Sequence, residues 1–265
     1  MVGMDFGRVR AMVRRHLYLQ KRAPHRWFDA LVWPVVDTVI WGSIGAYVDL
    51  QGGAHRSGLP YMLSGVLLMH VLYQSNISLS TGFMDETWSR NVLNIMVTPL
   101  RESEHLAALM ILSVVRLAAG LSAVAAAAWL LYTFNVTRAG FGLVAVIAVL
   151  MLVGWALAMT VIGLLLRFGN GAEILAWGIL FVVVALSGAF YPARALPGAL
   201  QPIARVLPST HAFTAARALL DGRAMPWGQL GLAALGLLVV LPAAAAFLLG
   251  MLRTFRARGF VTRYS

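Results

Sequence analysis

GFGLVAVIAVLMLVGWALAMTVIGLLL, residues 140–166, runs for 27 positions without a charged side chain. A helix rises about 1.5 Å per residue, so such a run covers the ~30 Å hydrocarbon thickness of a bilayer. Its apolar residues are continuous and do not alternate, which fits a membrane helix and excludes a barrel strand. Working outward, further apolar runs lie at 29–48, 60–80, 104–132, 172–191 and 227–252, giving six expected spans. The predicted fold is all-α: a polytopic membrane protein with six transmembrane helices.

Composition agrees. The 265-residue chain is 60% apolar and 12% charged, with mean hydropathy +0.79, too much apolar surface for one water-soluble core. The net charge of +11 does not point to nucleic acid, because the basic residues sit beside the spans, where they set orientation. Arg8, Arg10, Arg14, Arg15, Lys21, Arg22 and Arg26 precede the first span, and Arg253, Arg256, Arg258 and Arg263 follow the last. Both termini are therefore expected in the cytoplasm. Loops 49–59 and 133–139, each with a single arginine, are expected outside. Segment 192–226 falls outside too, although it carries Arg194, Arg205, Arg217 and Arg223; long translocated segments tolerate positive charge, and the four are expected to meet anionic headgroups, with an anionic substrate leaving the pathway as the alternative. With no cysteine, disulfides and thiolate chemistry are excluded. Residues 1–27 lack the apolar core and cleavage site of a signal peptide.

Between the last two spans, SGAFYPARALPGALQPIARVLPSTHAFTAARALLDG (Ser187 to Gly222) holds four of the ten prolines yet keeps apolar runs at 203–207 and 211–220. A soluble loop of that length would be polar. Short helices dipping into a membrane fit better.

Two further segments are amphipathic. In residues 5–27, Phe6, Val9, Met12, Val13, Leu17 and Tyr18 fall on one helical face among basic residues, predicting an interfacial helix within residues 1–28. Residues 82–98 are too polar to cross and place Trp88, Val92, Ile95 and Met96 at helical spacing, with Asp85, Glu86, Arg90 and Asn91 on the rest. Glu86 and Arg90 are predicted to pair four apart. Thr98 is the expected cap of the next helix, with Pro99 at its first position. Inside the spans, Asp37, His70 and Arg116 are ionisable and expected to face protein or water, Asp37 pairing with His70 or Arg116. Gln74, Ser75, Asn76, Ser78 and Ser80 make the second half of span two polar; they either join helices or line a passage.

Motifs of catalysis are missing: no HExxH, no GxSxG, no paired carboxylates, and the six histidines lack metal-ligand spacing. The single lysine, Lys21, has no glycine-rich lead-in, so no nucleotide-binding loop exists on this chain. Two other classes remain as alternatives: a membrane enzyme that modifies lipids through Asp37, His70 or His211, and a regulatory membrane subunit that transports nothing.

Read in order, ETWSRNVLNIMVTPLRESEHL (Glu86 to Leu106), SGAFYP (Ser187 to Pro192) and LPSTHAFTAARALLDG (Leu207 to Gly222) resemble the permeases of type 2 ATP-binding-cassette (ABC-2) exporters. The resemblance spans nearly the whole chain, read as a single ABC-2 domain over 1–265. It implies a bacterial inner-membrane exporter of a lipid, glycan or drug-like amphiphile. It further implies a second permease copy, most simply a homodimer, and two copies of a separate ATPase, on which ATP and Mg reside; no cofactor sits on this chain. By the same resemblance, 82–98 is the coupling helix that docks on the ATPase through Asp85, Glu86, Trp88, Arg90 and Asn91, and the N-terminal helix is the connecting helix. The external segment 192–226 becomes a pair of re-entrant helices with Phe190, Tyr191, Pro192, His211 and Arg217 at the gate. Asp37, Trp41, Gln74, Asn76 and Ser78 are expected along the pathway, although Trp33 to Gly42 lies outside the wording shared by the family.

Overall fold

A computed structural model describes residues 4–23, 25–52, 58–88, 98–169, 171 and 173–258. These fold into nine α-helices: α1 (Phe6–Arg22), α2 (His25–Gln51), α3 (Gly58–Trp88), α4 (Glu102–Tyr132), α5 (Gly142–Phe168), α6 (Glu173–Leu186), α7 (Gln201–Val206), α8 (Pro208–Leu220) and α9 (Trp227–Arg258). Short 3-10 turns occupy Val136–Ala139 and Ala193–Ala195. No strand occurs among the described residues. Four helical stretches, Ala30–Gln51, Glu102–Tyr132, Gly142–Phe168 and Trp227–Phe255, are long and apolar enough to cross a membrane. The molecule is a multi-pass membrane protein.

At the centre stands α3, packed against α2, α4, α5 and α6. From Leu63 to Ser80 every residue except Met69 is buried. That setting explains how a helix with so polar a second half survives here: its hydroxyls and amides meet protein, not lipid. Gln74 Nε2 donates to Ser78 Oγ at 3.1 Å, and Ser80 Oγ donates to the Asn76 carbonyl at 2.7 Å. The helices also approach closely, because α5 presents Gly154 to α3; a Cβ there would lie 2.6 Å from Ser75 Cβ. At the α2–α3 turn, the Asp49 carboxylate accepts from the amides of Gly58 and Leu59 at 2.7 and 3.0 Å, which satisfies otherwise unpaired donors at the start of α3.

The structure corrects three boundaries. The stretch expected to cross at 172–191 is helical only to Leu186; its 14 residues reach about 21 Å at roughly 1.5 Å each. There Ser187 Oγ bonds the Val183 carbonyl and Ser209 Oγ, and Gly188 takes φ +70°, a left-handed turn open to glycine, so the chain leaves the helix axis. Residues 82–88 continue α3 instead of opening a separate helix. Neither Thr98 nor Pro99 starts α4: Arg101 is its N-cap, and its amide donates to Glu104 Oε2 at 2.9 Å. The carboxylate three residues on takes the N-cap amide, as in a capping box, while the Thr98 hydroxyl accepts from the Leu100 amide at 3.4 Å.

Candidate functional site

A cavity of about 690 Å³ lies between α2, α3 and α6. Helix α2 contributes Trp33, Asp37 and Trp41, spaced four apart and so on one face. From α3 come His70 and Tyr73, and from α6 come Trp177, Phe181 and Val184. Phe190 and Tyr191, just past α6, form its rim. The rings touch in sequence: Tyr73 meets Trp177 with centroids 5.4 Å apart, and Trp41 stacks on Phe190 at 4.0 Å and 12°.

Among the described residues, Asp37 and His70 are the charged or chargeable side chains in this wall, apart from the tyrosines. His70 Nε2 lies 3.2 Å from Asp37 Oδ2, so of the two expected partners it is the histidine that meets the aspartate. His70 is buried, whereas the Asp37 side chain is 29% exposed and faces the cavity.

Arg217 holds the rim from behind. Its guanidinium donates to the Ala189 carbonyl, next to Phe190, and lies 3.7 Å above the Tyr61 ring. This corrects the expectation that all four arginines of the 192–226 segment reach headgroups: Arg194, Arg205 and Arg223 are exposed, but Arg217 on α8 points at α3, where an aromatic face and a carbonyl replace its water. Tyr191 turns back, its hydroxyl donating to the Ala185 carbonyl at 2.7 Å. Pro192 caps the 3-10 turn that follows.

Other predicted site residues lie elsewhere. Gln74, Asn76 and Ser78 are buried and absent from the cavity wall. They sit where α3 is covered by its neighbours, and the Gln74–Ser78 and Ser80–Asn76 bonds run within α3 itself. His211 bridges helix ends: Nδ1 is 2.8 Å from Gln229 Oε1 and Nε2 is 2.8 Å from the Arg205 carbonyl. It does not line the cavity.

At the far end of α3, α1 is fastened across the bundle. The expected apolar face divides: Val9 and Met12 are buried with Ala108 of α4, while Phe6, Leu17 and Tyr18 stay exposed. Polar contacts frame this patch. Arg15 makes two bonds to the Glu86 carboxylate, the Nη2–Oε2 bond being 3.2 Å, and His16 Nε2 is 3.9 Å from Glu86 Oε1. Glu104 Oε1 accepts from the Asp5 amide at 3.0 Å, and Arg8 Nη1 is 3.8 Å from Glu104 Oε2. Glu86 is thus only 3% exposed and turned toward α1. Asp85 is half-buried. The Trp88 side chain, Arg90 and Asn91 lie outside the described residues, and with them the expected Glu86–Arg90 pair.

A family model for the ABC-2 type transporter matches residues 8–220. The chain belongs to this family: it is the transmembrane subunit of an ABC-2 permease. No curated protein matches the chain. The matched range contains every wall residue of the permease's cavity, which the family match by itself does not single out.

Sequence reasoning missed the contribution of Tyr73, Trp177 and Phe181 to this ABC-2 permease. One signal was available. Trp177 and Phe181 stand four apart on an otherwise aliphatic stretch, as Trp33, Asp37 and Trp41 do, so each helix shows an aromatic face. That the two faces meet across His70 and Tyr73 depends on tertiary packing.

Proposed function

We propose that this chain is the membrane-spanning half of an ABC exporter, moving an amphipathic substrate outward through the aromatic cavity while a separate ATPase hydrolyses ATP. The observation that carries the reading is the convergence of Asp37, Trp41, Phe190 and Tyr191 on one cavity of about 690 Å³, a size suited to a drug-sized ligand or lipid headgroup region. In this reading α2, α3 and α6 flank the path, α7 and α8 close its outer end, and a second copy of the chain completes it. The two spans beyond the four most apolar helices are α3, screened by its neighbours, and α6, which the rim segment completes. Both termini lie in the cytoplasm of a bacterial inner membrane, on the side of two ATPase copies.

The coupling proposal follows the contacts at the α1 end. The end of α3 at Asp85, with the adjoining Trp88, Arg90 and Asn91, is the docking element, and Glu86, buried against Arg15 and so withdrawn from the docking surface, ties it to α1. ATP binding brings the ATPases together, this block moves, and the cavity opens outward; the ligand shifts the equilibrium only by its unequal affinity for the two states.

The chain has no cysteine, so one can be introduced alone. In membrane vesicles of the complex with its ATPase, Phe181→Cys is labelled with a bulky maleimide, and ATP-dependent efflux of fluorescent lipids and dyes is followed. Labelling should cut efflux by about tenfold or more, since it fills the path. Full efflux after complete labelling would overturn the pathway.

A further inference from the structure

We propose that the cavity is built for an organic cation with apolar or aromatic bulk, Asp37 supplying the charge it meets and Trp41, Tyr73, Trp177 and Phe190 the ring faces. Only the claim that this cation is exported rests on the pathway reading above. His70 is the residue that meets Asp37 in the cavity wall. Both of its ring nitrogens are buried without a hydrogen-bond partner among the described residues, and Nε2 sits beside Asp37 at ion-pair distance without hydrogen-bond geometry. The Asp37 side chain, 29% exposed, faces the cavity while His70 is buried behind it, so the carboxylate is the acidic group that a ligand in the cavity meets. No other ion pair involves Asp37 among the described residues. Among the described residues no arginine or lysine lines the wall, and Arg217 is turned to Tyr61 and Ala189.

A carboxylate in an apolar wall at membrane depth is costly until a counter-charge arrives. Aromatic faces carry the negative side of their quadrupole and favour the same visitor. Each feature thus selects for positive charge, and an anionic headgroup meets repulsion from Asp37.

The test uses two probes of one shape and opposite charge, tetraphenylphosphonium and tetraphenylborate. The full chain is placed in zwitterionic lipid nanodiscs, and binding is measured by equilibrium dialysis against empty nanodiscs. The chain should hold the cation about tenfold or more tightly than the anion, and Asp37→Asn should lose about tenfold in cation affinity while its thermal unfolding stays cooperative. Trp41→Ala should lose about fivefold. Equal affinity for the two ions, or undiminished cation binding by D37N, would overturn the proposal. Should D37N fail to fold, the comparison of the two ions on the unaltered chain still decides. The assay needs neither ATPase nor efflux. Cation binding together with full efflux after Phe181→Cys labelling would sink the pathway and keep the site; blocked efflux without cation preference would do the reverse.

Discussion

Glu86 shows how one buried carboxylate commits the residues around it. At 3% exposure it has little water to solvate it, so its charge depends on Arg15, with His16 close by. Removing one partner of such a pair leaves the other desolvated, and that penalty exceeds the net worth of the intact pair. Arg15→Ala should therefore lower stability by about 1–3 kcal/mol, discounted toward the lower end because the arginine is itself partly exposed. The double variant Arg15→Ala with Glu86→Gln should recover most of the loss, since a neutral amide tolerates the site. Thermal unfolding of both variants in one detergent checks this; a double variant no more stable than R15A would refute it. Asp37 is the opposite case, a carboxylate that stays partly exposed to a cavity, and the contrast separates a structural carboxylate from one placed to meet a ligand.

Between helices, α5 packs tightly on α3. Alanine is the better helix former by about 1 kcal/mol, so a helical glycine normally gains from replacement. At Gly154 a new Cβ would lie 2.6 Å from Ser75 Cβ and 2.9 Å from the Leu72 carbonyl, and backbone cannot yield as a flexible side chain does. Gly154→Ala should destabilise by about 1–3 kcal/mol despite its helix propensity. Gly178 in α6 has nothing within 4 Å of the same atom, so Gly178→Ala should be neutral or stabilising by up to about 1 kcal/mol. Melting curves that rank the two variants the other way would contradict the packing account. The same elements show what was legible beforehand. Helices α4, α5 and α9 announce themselves as apolar runs because lipid surrounds much of them. The second half of α3 is polar because protein surrounds it, and composition alone leaves open whether its amides join helices or line a path. Asp37 stood out as an expensive charge, but the ring wall it shares comes from α2, α3 and α6, which are distant in sequence. The early end of α6 depends on Ser187 reaching Ser209, a tertiary hydrogen bond that no local pattern encodes.

Across the whole molecule, the cavity and the α1 end are joined by α3, which carries His70 and Tyr73 near its middle and Glu86 close to its C-terminal end. A rigid helix buried along most of its length transmits displacement, because a packed core changes between discrete arrangements and does not stretch. Helix α1 is bonded to α3 through Arg15 and to α4 through Glu104, with Val9 and Met12 seated on Ala108. These contacts make α1, the end of α3 and the start of α4 one block, in contrast to a free lever lying on the membrane surface. Joining α1 to α4 covalently should then change little. With Met12→Cys and Ala108→Cys bridged by a short bismaleimide, ATP hydrolysis by the complex should stay within about twofold of the unbridged variant, as expected for parts that move as one body. A tenfold loss on bridging, restored by a cleavable linker, would show that α1 swings against α4 during the cycle and that the Arg15–Glu86 pair must break in each turnover.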